Sequence, residues 1–120
     1  MSNNEGDTMT EIEHLSREDF GRALSETPGP LIVDFWAGWC GPCRVVAPML
    51  ERLADEHPEL RIAKLDVDQE PDLVAEHRIR GIPTLIRFDG GSETRRAIGA
   101  LPYPELLRAL GIPERQPTAA

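Results

Sequence analysis

The chain has 120 residues and a formal net charge of −8, from 21 acidic against 13 basic side chains. That length suits one domain with its own core, and the acidic balance excludes the basic footprint that nucleic-acid binding requires. No run approaches the roughly 20 apolar residues of a membrane-spanning helix. Residues 1–7 lack a basic region followed by an apolar one, so no secretory signal is expected and a cytoplasmic monomer is the default.

Residues 1–9 are polar and read as a flexible lead to a domain over 10–111, with 112–120 as a flexible tail. Ile12 and Leu15 suit a short strand. Ser16 is placed to cap a helix, with Asp19 at the capping-box position. Phe20, Ala23 and Leu24 supply the apolar face of that helix, which Thr27-Pro28-Gly29-Pro30 ends. Leu31–Trp36 is apolar apart from Asp34, as in a central strand buried on both faces. A helix follows over Gly41–Glu56, with Pro48 in its interior, where it removes a backbone bond and should kink the helix. Residues 60–67 form the next strand. Residues 68–78 read as a loop and short helix, with Leu73, Val74 and His77 inward. Gly81-Ile82-Pro83-Thr84 leads into the strand Leu85-Ile86-Arg87-Phe88, and Asp89-Gly90-Gly91 turns it into an antiparallel partner over 93–98. A last helix places Leu106, Leu107 and Leu110 on one face, and Gly111 suits its C-cap. The order β-α-β-α-β-α-β-β-α predicts an α/β mixed sheet with helices on both sides.

The two cysteines, Cys40 and Cys43, are two residues apart between a strand and a helix. In that context CxxC reads as redox-active, whereas buried thiols or half of a metal site are the alternatives. A zinc site needs about four ligands, and His14, His57 and His77 are not at ligand spacing. Cys40 falls at the helix start, with Pro42 in the first turn, a position that favours proline. The partial positive charge there stabilises a thiolate, so Cys40 is the candidate nucleophile. Cys43, one turn further in, would be more buried and would resolve the mixed disulfide. Asp34 shares a strand face with Ile32 and Trp36. Buried, it would titrate high and could take the Cys43 proton; at an edge it would simply meet solvent. Lys64 is the only lysine beside 12 arginines. That raises the question of what a lysine does there that an arginine could not.

The run Asp34-Phe35-Trp36-Ala37-Gly38-Trp39-Cys40-Gly41-Pro42-Cys43 resembles the active-site signature of the thioredoxin family. The likeness continues with Ala47-Pro48, Ala63-Lys64-Leu65-Asp66-Val67-Asp68, Arg80-Gly81-Ile82-Pro83-Thr84 and Gly99-Ala100. The resemblance implies the thioredoxin fold, a mixed sheet of about five strands flanked by about four helices. It implies a protein-disulfide reductase with a reversible Cys40–Cys43 disulfide, acting on disulfide-containing proteins. It also implies no bound cofactor or metal, and electrons from NADPH through a thioredoxin reductase. Asp34 would assist Cys43, and Lys64 would tune Asp34. The Ile82–Pro83 bond would be cis against the disulfide, offering backbone to a substrate strand. Trp39, Gly41, Pro42, Ile82, Pro83, Gly99 and Ala100 would form the substrate surface, with Trp36 packed behind. Gly38 and Arg87 depart from the pattern: the first loosens the approach to the site, and the second pairs with an acid or marks a docking surface. Arg95 and Arg96 are expected to be solvated. Two rival functions share this fold, a thiol oxidase or isomerase and a binding module with incidental thiols.

Overall fold

The computed structural model describes residues 12–115. The expected lead over 1–9, and the expected tail beyond residue 115, lie outside the described residues. Five strands, β1 (Glu13–His14), β2 (Leu31–Trp36), β3 (Arg61–Asp66), β4 (Thr84–Asp89) and β5 (Ser92–Ile98), form one sheet in the order β1-β3-β2-β4-β5. The pairs β1/β3 and β2/β3 are parallel, and β2/β4 and β4/β5 antiparallel. Four helices complete the domain: α1 (Arg17–Glu26), α2 (Gly41–Glu56), α3 (Pro71–Glu76) and α4 (Tyr103–Leu110). The sheet is mixed and helix-covered, as the element order predicted.

Strand alternation divides the core into two layers. Ile32 and Ile62 point toward α2 and α4, where they meet Val46, Leu50, Leu53, Leu106, Leu107 and Leu110. Leu31, Val33 and Phe35 point the other way, toward Phe20 and Ala23 of α1 and Leu73 of α3. The β2 strand is therefore buried on both faces, which explains its near-continuous apolar run. Asp34 belongs to the α2 face.

Helix ends follow the local signals. Ser16 Oγ accepts from the Asp19 N–H at 3.1 Å, and Asp19 reaches back to the Ser16 N–H, closing the capping box. The α2 helix is continuous across Pro48. Gly111 ends α4 in the left-handed region at φ 66°, ψ 33°. Its N–H and that of Ile112 bond back to Arg108 and Leu107, a Schellman arrangement that turns Ile112 into the core. The residue after a left-handed cap is directed onto the helix it closes, and Ile112 packs there.

Two arginines find partners inside the fold, and one of them, Arg96, departs from expectation. Arg87, half-buried on the α2/α4 face, pairs with Asp89 at 2.9 Å and donates to the carbonyls of Leu110 and Gly111 at 3.0 Å each. It closes the C-terminal end of α4, where orphan carbonyls need donors, so it pairs with an acid and is no free docking charge. Arg95 is exposed, but Arg96 is half-buried and engaged: it donates to the His77 carbonyl at 2.8 Å and pairs with Glu93 at 2.8 Å. The same need, at the end of α3, draws it in.

Candidate active site

Cys40 is the N-cap residue of α2, and its Sγ accepts the Cys43 N–H at 3.2 Å. Pro42, in the first turn, removes a donor that would have no partner there in any case. The two cysteines are joined as a disulfide, with Cα atoms 5.3 Å apart. Each residue is 4% exposed, so burial does not separate them as expected. Cys40 is covered because the segment before Pro83 folds over it: its Sγ lies 3.8 Å from the Ile82 carbonyl oxygen. Position does separate them, since Cys40 takes the helix-end field and N–H while Cys43 is anchored inside the first turn. Ala37 packs with the pair, and Trp36, Val67 and Ile82 close around them.

Asp34 is 1% exposed, and neither carboxylate oxygen has a hydrogen-bond partner among the described residues. Burial pushes its pKa up to about 7, against the downward pull of the Lys64 charge. The edge-acid alternative is thereby removed. Lys64 is the Cα partner of Asp34 across the parallel β2/β3 pair. Its ammonium does not bond the carboxylate but lies 4.3 Å from the centre of the Trp36 ring, in cation–π geometry.

The outer surface forms around the cysteines. Trp39 is 68% exposed and its indole Nε1 donates to the Asp68 carboxylate at 2.8 Å. Gly41, Pro42 and Ala100 are exposed, Ile82 and Gly99 half-buried, and Pro83 buried. The Ile82–Pro83 peptide bond is cis, and the Pro83 carbonyl accepts the Gly99 N–H at 2.8 Å, which brings Gly99 beside it. Gly38 is exposed, and its carbonyl accepts from Arg44 at 2.9 Å. A groove of about 380 Å³ runs from the indole along Val67, Val74, Ile79, Arg80, Gly81 and Ile82. Sequence reasoning did not single out Asp68 as the partner of Trp39, or this groove. Asp68 lay within the family-like segment, but only the chain's path beyond β3 brings it to the indole.

Among the described residues no group of three or more His, Cys, Asp or Glu side chains is placed to hold a metal ion. No described helix is long and apolar enough to cross a membrane. The arrangement, a disulfide at a helix N-terminus, a buried carboxyl of raised pKa and an exposed apolar rim, can exchange disulfides and hold a proton while doing so.

Comparison with known proteins agrees. The family model described as Thioredoxin matches residues 11–111. The chain is 47% identical over 100 residues to a thioredoxin of Alicyclobacillus acidocaldarius, covering 82% of this chain and 90% of that protein. It is 50% identical over 100 residues to the bifunctional thioredoxin reductase/thioredoxin of Mycobacterium leprae, covering 82% of this chain and 22% of that longer protein. The oxidised form of mitochondrial thioredoxin 3 from Saccharomyces cerevisiae superposes with a TM-score of 0.75 at 31% identity, covering 82% of this chain and 92% of that one.

Proposed function

The chain belongs to the thioredoxin family, and from that premise we propose how its residues divide the work of disulfide exchange. The protein is a thiol-disulfide oxidoreductase, a protein-disulfide reductase working through the Cys40–Cys43 pair. The observation that carries the division of roles is Cys40 at the N-cap of α2, with Cys43 one turn behind it.

The reduced Cys40 thiolate attacks one sulfur of a protein disulfide. The substrate S–S bond breaks, a Cys40–substrate bond forms, and the departing substrate thiolate takes a proton. Cys43 then gives its proton to the Asp34 carboxylate and attacks Cys40. The second substrate sulfur leaves as a thiolate and is protonated in turn, and the Cys40–Cys43 disulfide remains. The substrate gains the two electrons that the dithiol loses. With a pKa of about 7, Asp34 is both able to accept a proton and able to release it near neutral pH. Lys64 biases that balance by its charge. Trp39, Gly41, Pro42, Ile82, Pro83, Gly99 and Ala100 receive the substrate around Cys40, with backbone at Ile82 offered to an extended substrate segment.

A thioredoxin reductase returns the disulfide to the dithiol, with NADPH as the electron source. The fusion of a reductase to a thioredoxin in the Mycobacterium leprae relative supports that partnership. The exchange itself requires no bound cofactor. The protein acts as a monomer in the cytoplasm.

An equilibrium redox titration against a dithiol buffer, read by the fluorescence of Trp36 and Trp39, tests the direction of electron flow. A two-electron midpoint below about −250 mV, the range already characteristic of thioredoxins, is the expected result. A midpoint near −180 to −120 mV would move the function to oxidation or isomerisation. A partner whose activity survives the Cys40→Ser, Cys43→Ser double substitution would reveal a binding role.

A further inference from the structure

His14 lies at the sheet edge, on β1, and is the Cα partner of Lys64, which is in turn the partner of Asp34. Parallel partners project to the same face, so the three side chains form one row across β1, β3 and β2. The Trp36 indole crosses that row from β2. Lys64 Nζ is 4.3 Å from the centre of its ring, and the His14 imidazole meets it edge-on, centroids 5.9 Å apart at 66°. The indole thus meets both an ammonium and an imidazole, while its buried Nε1 has no hydrogen-bond partner among the described residues to fix it.

We propose that His14 is a positioning residue for disulfide exchange: its imidazole braces the Trp36 indole, and the braced indole holds the Lys64 ammonium beside Asp34. The inference rests on the reading of Asp34 as the proton acceptor for Cys43. A Lys64 stem has several rotatable bonds, and with no carboxylate bonded to it the ammonium would otherwise swing to water. The cation–π contact stops that only while the ring stays in place. Other charges nearby are already engaged or turned out. Asp66, in register with Trp36, accepts the Asp68 N–H at 2.9 Å. Glu13 and Arg61 pair with each other at 3.0 Å. The charged residues of α2, which packs on this face, are exposed apart from Glu56, which is bonded to Tyr103 and Arg52.

The test is an NMR titration of the Asp34 carboxyl carbon in the oxidised full-length protein and in His14→Ala and His14→Phe. Losing the brace releases Lys64, so the Asp34 midpoint should rise by about half a unit in His14→Ala. From a midpoint of about 7, that rise lowers the ionised fraction at pH 7 about twofold, and resolution of a mixed disulfide should slow about twofold there and recover above pH 8. His14→Phe keeps an aromatic edge and should restore the original midpoint. An unchanged or lowered midpoint in His14→Ala overturns the proposal, even if that variant unfolds more easily. So does a His14→Phe midpoint that follows His14→Ala. Should Asp34→Asn leave resolution unaffected, the role of Asp34 fails instead, and the carboxyl midpoints still report on the brace.

Discussion

Asp34 and Lys64 are direct partners across the parallel β2/β3 pair, yet the ammonium rests over the Trp36 ring and both carboxylate oxygens are left without a hydrogen bond among the described residues. The acid is near a positive charge without being neutralised by it, so desolvation outweighs attraction and its pKa rises to about 7.

That rise makes Asp34 a pH-dependent burden on the fold. Below its ordinary value of 3.8 the carboxyl is neutral in both states. Between there and about 7 the folded protein holds a proton that the unfolded chain has lost, so stability declines with rising pH and levels off above about 7. Asp34→Ala should therefore be more stable than the parent at pH 8, by up to about 4 kcal/mol at 1.36 kcal/mol per unit. The advantage should vanish or reverse near pH 4. Urea denaturation at the two pH values checks this; an advantage of equal size at both would break the link to ionisation. The same variant should resolve mixed disulfides on the order of ten- to a hundredfold more slowly at pH 7.

The Trp39–Asp68 bond orients an indole that is 68% exposed. Solvent competes for both groups, so Asp68→Ala should cost less than about 1 kcal/mol of stability. The freed indole must then be ordered by each substrate, and kcat/KM for a protein disulfide should fall several-fold. Steady-state kinetics beside a melt decide it: unchanged kcat/KM would mean the bond does not prepare the surface.

Arg87 holds Asp89 and the last carbonyls of α4, and none of these bonds reaches an active-site residue. Arg87→Leu should destabilise the protein by roughly 1.5–3 kcal/mol, since charged hydrogen bonds are lost and buried acceptors are left open. The redox midpoint should not move. A shifted midpoint would place Arg87 in the chemistry.

Among the described residues nothing stands within 4 Å of where a Gly38 Cβ would be, and its backbone is outside the left-handed region. Gly38→Ala should then be neutral or stabilising by about 0.4–1 kcal/mol through the unfolded chain. Reduction rates should stay within twofold. A larger loss of rate without loss of stability would show that mobility before Trp39 serves the reaction.

Short-range features were legible from residues alone. The capping box at Ser16 and Asp19, the strand Leu31–Trp36, the hairpin at Gly90-Gly91 and the left-handed cap at Gly111 each depend on neighbours within a few positions. The redox reading of Cys40 and Cys43 is of the same kind, because a two-residue gap between strand and helix places one thiol at the helix end and the other a turn behind.

What only the tertiary structure decided are contacts between distant positions and the burial they produce. Alternation left Asp34 either covered or at an edge; the packing of α2 on that face covers it. The segment before Pro83 buries Cys40 as fully as Cys43, from 42 residues away. Arg87 finds the end of α4 from 23 residues away, Trp39 finds Asp68 from 29, and the seat of Lys64 depends on three strands meeting in one register. Local sequence sets a residue's backbone conformation and which face it points to. What stands against that face is set by how the whole chain packs, and for charged side chains the energy lies in those partners.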